Sequence, residues 1–277
     1  TQKPSSAASD VYKRQSKAKM TARFFCQLEY DGSSYKGFQA QKSTKKTIQY
    51  EVEHALAKVA DHEINIVCSG RTDAGVHAVN QIFHFDTTAE RDIDSWIRGA
   101  NANLPNNISL INFFNVETDS HARFDAISRE YIYLITNSDF KPAIHNNKTL
   151  WVRRELDVKG MNDAAKLLIG EKDFSSFRAT GCQSKHSVRK IYEAEVRQDN
   201  DLISFRIKAN AFMLNMVRII VGTLLAVGCN EKSLSDFANI IEAKDRKRSG
   251  KTVDPFGLYF MGPEYNYLSY KKNRIFK

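Results

Sequence analysis

One carboxylate stands out by its setting. In Gly70-Arg71-Thr72-Asp73-Ala74-Gly75-Val76-His77-Ala78, Asp73 lies between two glycines, with strand-like segments on either side. Glycine permits a tight turn and the close approach of another chain, so a substrate can lie against such a loop. A carboxylate held there can stabilise an electron-poor carbon, attack it, or take a proton beside it. Residue by residue the run also reads as an ordinary hairpin loop in which Asp bonds its own backbone. Arg218 is the second telling residue, because it interrupts Met216, Val217, Ile219, Ile220, Val221, Leu224 and Leu225 on a segment that reads as an apolar helix from Ala211. A guanidinium buried and unpaired there costs roughly 3 to 5 kcal/mol, so it needs an acceptor. Asp73 is its natural partner; an arginine that snorkels to solvent or caps a strand edge is the other reading.

Two further stretches carry candidates. Tyr131, in Ser128-Arg129-Glu130-Tyr131-Ile132-Tyr133, is an aromatic on a predicted strand. Its ordinary pKa near 10 makes it a poor base unless shifted, so base and stacking platform both stay open. Tyr35-Lys36-Gly37-Phe38-Gln39-Ala40-Gln41 mixes aromatic, basic and amide groups, and Lys36 and Gln39 suit RNA as well as they suit a packed surface loop. Cys26, Cys68, Cys182 and Cys229 are scattered, and Cys182 with His186 is the only close Cys/His pair. The expectation is four reduced thiols, no disulfide framework and no metal site. His77 and His121 read as structural hydrogen-bonding residues, and Ser175 and Ser176 form no nucleophile elbow.

The elements that must hold these groups follow from periodicity. Strands are predicted at 23–30, 63–68, 79–85 and 108–116, with helices at 47–60, capped by Thr47, and 93–104, closed by Pro105. The strand, helix, strand, strand, helix, strand order gives a four-stranded antiparallel sheet with its helices on one face. After residue 126 the plan starts over: strands at 129–136, 187–197 and 202–209, and helices at 159–168, from 211, and at 233–244. The fold class is therefore α+β, with similar domains at 21–126 and 127–277 behind a disordered leader at 1–20. Met20 reads as the natural start, and the residues before it as an added or read-through leader rather than a transit peptide.

At 277 residues, 42 per cent hydrophobic and 26 per cent charged, the composition is that of a folded globular protein large enough for two domains. The formal charge of +9 favours an acidic partner, although Lys3, Lys13, Arg14, Lys17 and Lys19 against Asp10 alone assign +4 of it to the first nineteen residues. Short basic clusters at Lys42, Lys45 and Lys46, at Arg153 and Arg154, at Lys185, Arg189 and Lys190, and from Arg246 to Lys251 read singly as solvated faces. Across two domains they can line a salt-sensitive RNA cleft. The longest apolar run, 211–227, is broken by Asn215 and Arg218 and is too short for a membrane span.

The motif from Gly70 to Ala78 resembles the active-site motif of the tRNA pseudouridine synthase A family, in which the Asp is the catalytic carboxylate. Asn210 to Gly222 resembles that family's N-A-F-x-x-x-M-V-R-x-x-V-G motif, and Arg129 to Tyr131 its R-x-Y motif. Here Leu214-Asn215 replaces a frequent His-His pair and Ile219 a frequent Asn, so those polar contacts are not carried over. Further matches run from Phe24 to Tyr259, nearly the whole folded part. The resemblance implies the pseudouridine synthase fold around a central cleft. It implies isomerisation of uridine to pseudouridine at positions 38, 39 and 40 of the tRNA anticodon stem-loop, without cofactor. Asp73 is then the essential carboxylate, Arg218 its ion-pair partner, Tyr131 the residue against the target base, and Arg71 the group that fills the space of the flipped nucleotide or holds a phosphate. A cytoplasmic homodimer, with tRNA touching both subunits, comes with it. Rival readings are a nucleoside hydrolase, which needs a second acid or a metal beside Asp73, a non-catalytic tRNA-binding protein on the same fold, and a eukaryotic relative with other RNA targets.

Overall fold

The computed structural model describes residues 21–273; the leader expected at 1–20 lies outside the described residues. β1 (Ala22–Tyr30) lies between β4 (Ile108–Val116) and β3 (His77–Thr87), antiparallel to both, and the short β2 (Val67–Cys68) pairs with β3. In the second half β5 (Ser128–Asn137), β9 (Leu202–Ala209), β8 (Val188–Asp199) and β7 (Gly170–Asp173) follow as antiparallel neighbours, with β6 (Leu150–Val152) parallel to β5. β10 (Leu258–Glu264) inserts between the halves, parallel to β3 and antiparallel to β5. One sheet of order β4-β1-β3-β10-β5-β9-β8-β7 therefore runs through both halves.

The helices are α1 (Ile48–Ala60), α2 (Ile93–Asn103), α3 (Val158–Lys166), α4 (Met216–Gly228) and α5 (Leu234–Ala243). Thr47 caps α1 through Tyr50 N, and Ser233 with Asp236 closes a capping box on α5. Strand alternation sorts the side chains. Cys26, Leu28, Phe83, Phe85, Tyr131, Tyr133 and Phe260 enter the main core with the helices. Their neighbours Phe25 and Ile82, and Ile132, Leu134, Tyr259 and Met261, build smaller clusters apart from that core. Tyr131 and Phe260, adjacent across the β5–β10 ladder, thus share the helical side with the candidate site.

Two elements differ from the periodicity. The strand expected over 63–68 pairs only at Val67 and Cys68, because the Ile66 N–H is taken by the Glu53 carboxylate at 3.0 Å. The helix expected from Ala211 begins at Met216. Asn215 adopts the left-handed conformation, φ 57°, which Asn tolerates better than most residues and which stops the helix from extending back.

Candidate active site

The loop between β2 and β3 is held by hydrogen bonds on both sides of its crown. Ser69 Oγ donates to Gln81 Oε1 at 2.8 Å, and Gln81 Nε2 donates to Gly70 O at 2.7 Å. Thr72 meets the Tyr30 hydroxyl at 2.7 Å, and its carbonyl accepts from Phe38 N at 3.0 Å. Val76 N returns to Asp73 O at 3.2 Å. Gly75, at φ +81°, has no room for a side chain: a Cβ there would lie 2.8 Å from Pro255 Cγ and 3.0 Å from Phe256 Cε1. His77 accepts from Gly32 N on Nδ1 at 3.2 Å, while its Nε2 faces the carbonyls of Asn147 and Phe256 at 3.1 and 3.0 Å. This is the structural role expected of it.

From this frame the Asp73 side chain projects half-buried, 38 % exposed, toward Arg218, whose NH1 is 4.0 Å from Asp73 Oδ2. Arg218 lies in the first turn of α4, where a cation opposes the helix dipole by a few tenths to about 1 kcal/mol. Other acceptors fix it there: Nε donates to Val253 O at 2.7 Å and NH1 to Asn215 Oδ1 at 2.9 Å. The late start of α4 supplies the second of these, since Asn215 in a left-handed turn carries its amide back to the guanidinium. Arg218 is 16 % exposed, so the snorkelling alternative fails. Burial raises Asp73 above the usual carboxylate range, and the Arg218 guanidinium draws it part of the way back.

Tyr131 is buried beside this pair. Its ring packs on Phe260, 5.0 Å between centroids at 42°, and against the edge of Phe212 at 5.0 Å and 85°. Burial first, and the Asp73 charge next, push its hydroxyl well above the ordinary phenol range, so it stays protonated at neutral pH. Arg71 is exposed two residues before Asp73, and its guanidinium makes no ion pair among the described residues. Lys36 and Gln39 are exposed on the loop whose Phe38 N–H binds Thr72 O, so they flank the carboxylate loop.

Comparison with known proteins now bears on this geometry. The sequence model of a family described as tRNA pseudouridine synthase matches residues 28–125 and 164–266. The chain belongs to the tRNA pseudouridine synthase family. It is 47 % identical over 246 residues to the tRNA pseudouridine synthase A of Coxiella burnetii (strain RSA 331 / Henzerling II), covering 89 % of this chain and 93 % of that one. To the enzyme of the same name from Francisella tularensis subsp. novicida it is 42 % identical over 252 residues, covering 91 % and 97 %. For that from Alcanivorax borkumensis the figures are 41 % over 238 residues, covering 86 % and 89 %. Of the two blocks matched by the tRNA pseudouridine synthase model, the first contains Asp73 and the second Arg218, while Tyr131 lies between them.

Within this tRNA pseudouridine synthase, sequence reasoning passed over three supports of the site. Arg129 is a clamp: its guanidinium donates to Ala126 O and Asn210 O at 3.0 Å, to Ser69 O at 3.3 Å, and to Arg123 O. One side chain thereby ties the foot of the Asp73 loop to the turn before β5 and to the segment leading into α4. Its signal was present, two residues before Tyr131, but reads equally as an exposed strand arginine. The Val253 carbonyl that holds Arg218 has no sequence signature, because any residue offers it. Its loop is pinned by Arg246, which donates to Ser249 Oγ, Gly250 O and Thr252 Oγ1 at 2.9, 3.0 and 3.2 Å. That arginine is thus structural, as is Arg154, paired with Glu231 at 2.7 Å, so the basic clusters are not uniformly free for RNA. No described helix is long and apolar enough to cross a membrane.

Proposed function

We propose that Asp73 is the carboxylate with which this protein isomerises uridine to pseudouridine in the anticodon stem-loop of tRNA, at positions 38, 39 and 40. Family membership makes the reaction a tRNA uridine isomerisation; the residues and the stem-loop are our assignment. The observation that carries it is the 4.0 Å approach of Asp73 and Arg218, brought together from positions far apart in the chain at a partly open surface.

The chemistry asks for little else. The N1 glycosidic bond breaks with its electron pair staying on the uracil, the ring turns, C5 bonds to the same ribose carbon, and the C5 proton is lost while N1 gains one. Atoms and electrons balance without an oxidant. Asp73 can attack C1′, stabilise its positive charge, or remove the 2′ proton, and each role needs it ionised. Arg218 serves this by opposing the upward pull of burial. Tyr131, kept protonated, suits a surface for the target base rather than a general base. Arg71, Lys36 and Gln39 stand where RNA would surround the flipped nucleotide. A cytoplasmic homodimer, with one tRNA reaching both subunits, belongs to the same proposal and rests on the family resemblance.

The test is to incubate wild type and Asp73→Asn with unmodified tRNA transcript and to map pseudouridine by carbodiimide-dependent primer stops. Stops in the anticodon stem-loop are expected with wild type and none with the variant. An active variant removes Asp73 from the chemistry. Release of free uracil by wild type turns the reading to a hydrolase, and binding of tRNA without product turns it to a binding protein.

A further inference from the structure

The turn preceding β5 holds an aromatic ring out into water. His121 N donates to Asp125 Oδ2 at 2.6 Å, Ala122 N to His84 Nδ1 at 3.1 Å, and Arg123 N and Phe124 N to His121 Nδ1 at 3.1 and 3.2 Å. From the C-terminal segment, Tyr265 donates to Ala122 O at 2.6 Å and Tyr267 to Asp125 Oδ2 at 2.7 Å. The backbone is therefore fixed, yet Phe124, the large apolar side chain it carries, is 75 % exposed. A rigid turn that spends so many bonds on presenting a phenyl ring to solvent gains nothing from that ring for folding.

Three observations point to what the ring is for. His121 lies beside it, 4.2 Å between ring centroids at 31°, and limits its freedom. The exposed Arg123 guanidinium lies over the ring, 5.8 Å from its centroid, a cation held at the aromatic that leaves most of the ring open to solvent. The turn is also attached to the Asp73 loop, since Arg129 binds both Arg123 O and Ser69 O. An exposed aromatic ring with a cation held close to it, fixed relative to the catalytic carboxylate, matches one nucleotide of a single-stranded RNA: the base stacks on the open part of the ring and the phosphate meets the arginine.

We infer that Phe124 and Arg123 form a stacking platform for an unpaired base of the tRNA next to the flipped target, and that this contact positions the RNA over Asp73. The inference rests on the function proposed above and adds a substrate contact to it. Stacking on aromatic side chains is sequence-tolerant, because every base has a π face, so the platform serves different tRNAs equally.

The experiment is single-turnover pseudouridine formation over a range of unmodified tRNA concentrations, with wild type, Phe124→Ala, Phe124→Leu and Phe124→Trp. Phe124→Ala is expected to raise the half-saturating tRNA concentration about tenfold, with the rate at saturation changed by less than about twofold. Phe124→Leu, apolar but not planar, is expected to stay weak, and Phe124→Trp to recover wild-type affinity. The unfolding midpoints should coincide, because the ring is exposed. Wild-type affinity in Phe124→Ala, or full recovery in Phe124→Leu, overturns the platform while leaving the isomerase reading intact. A wild type that makes no pseudouridine overturns the isomerase reading, and the platform with it.

Discussion

Two aspartates near the same loop show how differently one fold treats equal side chains. Asp31 and Asp73 are almost identically open to solvent, 37 % and 38 % exposed. Asp31 is nevertheless well partnered: it accepts Ser33 N at 3.0 Å and Ser33 Oγ at 2.6 Å, and it pairs with the Lys148 ammonium. Burial pushes its carboxyl up, but those bonds and that charge outweigh it and leave the pKa at about 2. Asp73 has only the guanidinium at 4.0 Å against burial, and its pKa moves up instead. Partners and the protein packed around each carboxylate together separate the two: Asp73 meets the stronger desolvation and the fewer donors. A carboxylate with several donors on it serves structure, and one left under-coordinated keeps its lone pairs for a substrate.

The comparison breaks most sharply at the bench with paired isosteric variants. Asp73→Asn is expected to lower the single-turnover rate by at least about a thousandfold, roughly 4 kcal/mol or more in the barrier. Asp31→Asn should stay within about threefold of wild type. Equal losses in both would mean that the difference in coordination carries no functional information.

Next in size is Arg218→Gln, which removes the one charge that holds Asp73 down. A loss of about a hundredfold is expected, near 2.7 kcal/mol at 1.36 kcal/mol per tenfold. The acid limb of the kcat/KM profile should also move to higher pH, because an Asp73 that lacks its cation ionises later. Arg218→Lys keeps a charge but cannot reproduce the Nε bond to Val253 O and the NH1 bond to Asn215 together, and should recover activity only in part. An unmoved acid limb in Arg218→Gln would deny the coupling.

How much of the fold and the site is legible in the sequence follows from which groups carry the contacts. Asp73, Arg218 and Tyr131 are side chains in recognisable runs, and the structure brings all three to one place. Most helices and long strands announced themselves by period, because each buries one face. The remainder was hidden for physical reasons. β10 carries Gly262 and Pro263 and owes its place to partners on both sides, not to alternation. The start of α4 hangs on a single left-handed residue inside an apolar run. Val253 acts through its carbonyl, and Arg129 through carbonyls it meets only after folding.

A smaller effect is expected where the loop leans on its neighbour. Gly75→Ala must place a Cβ 2.8 Å from Pro255 Cγ at a φ of +81°, both unfavourable. A destabilisation of about 1 to 3 kcal/mol in denaturant unfolding is expected, with a rate loss at saturating tRNA because Asp73 lies two residues away. Full activity with normal stability would show that the Pro255–Phe256 contact does not position the carboxylate.

The smallest expected effect separates the two aspartates by sign. The folded pKa of Asp31, about 2, lies below its ordinary 3.8, so its ionised form stabilises the fold. That contribution is complete above the unfolded value and is lost as pH falls from about 4 through about 2. Taken whole the shift is worth about 2.4 kcal/mol, and screening of a carboxylate this exposed reduces it to about 1 kcal/mol. Asp31→Asn should therefore be less stable than wild type by about 1 kcal/mol at pH 7, with the gap closing toward pH 2. Asp73 runs the other way, because its folded pKa is raised: the stabilising form is the protonated one, present below the unfolded value and lost as pH climbs through the folded one. Asp73→Asn should thus be at least as stable as wild type at pH 7, and should lose that advantage in acid. Chemical unfolding of both variants at several pH values reads the two slopes directly, and slopes of the same sign would mean that the two carboxylates are held alike.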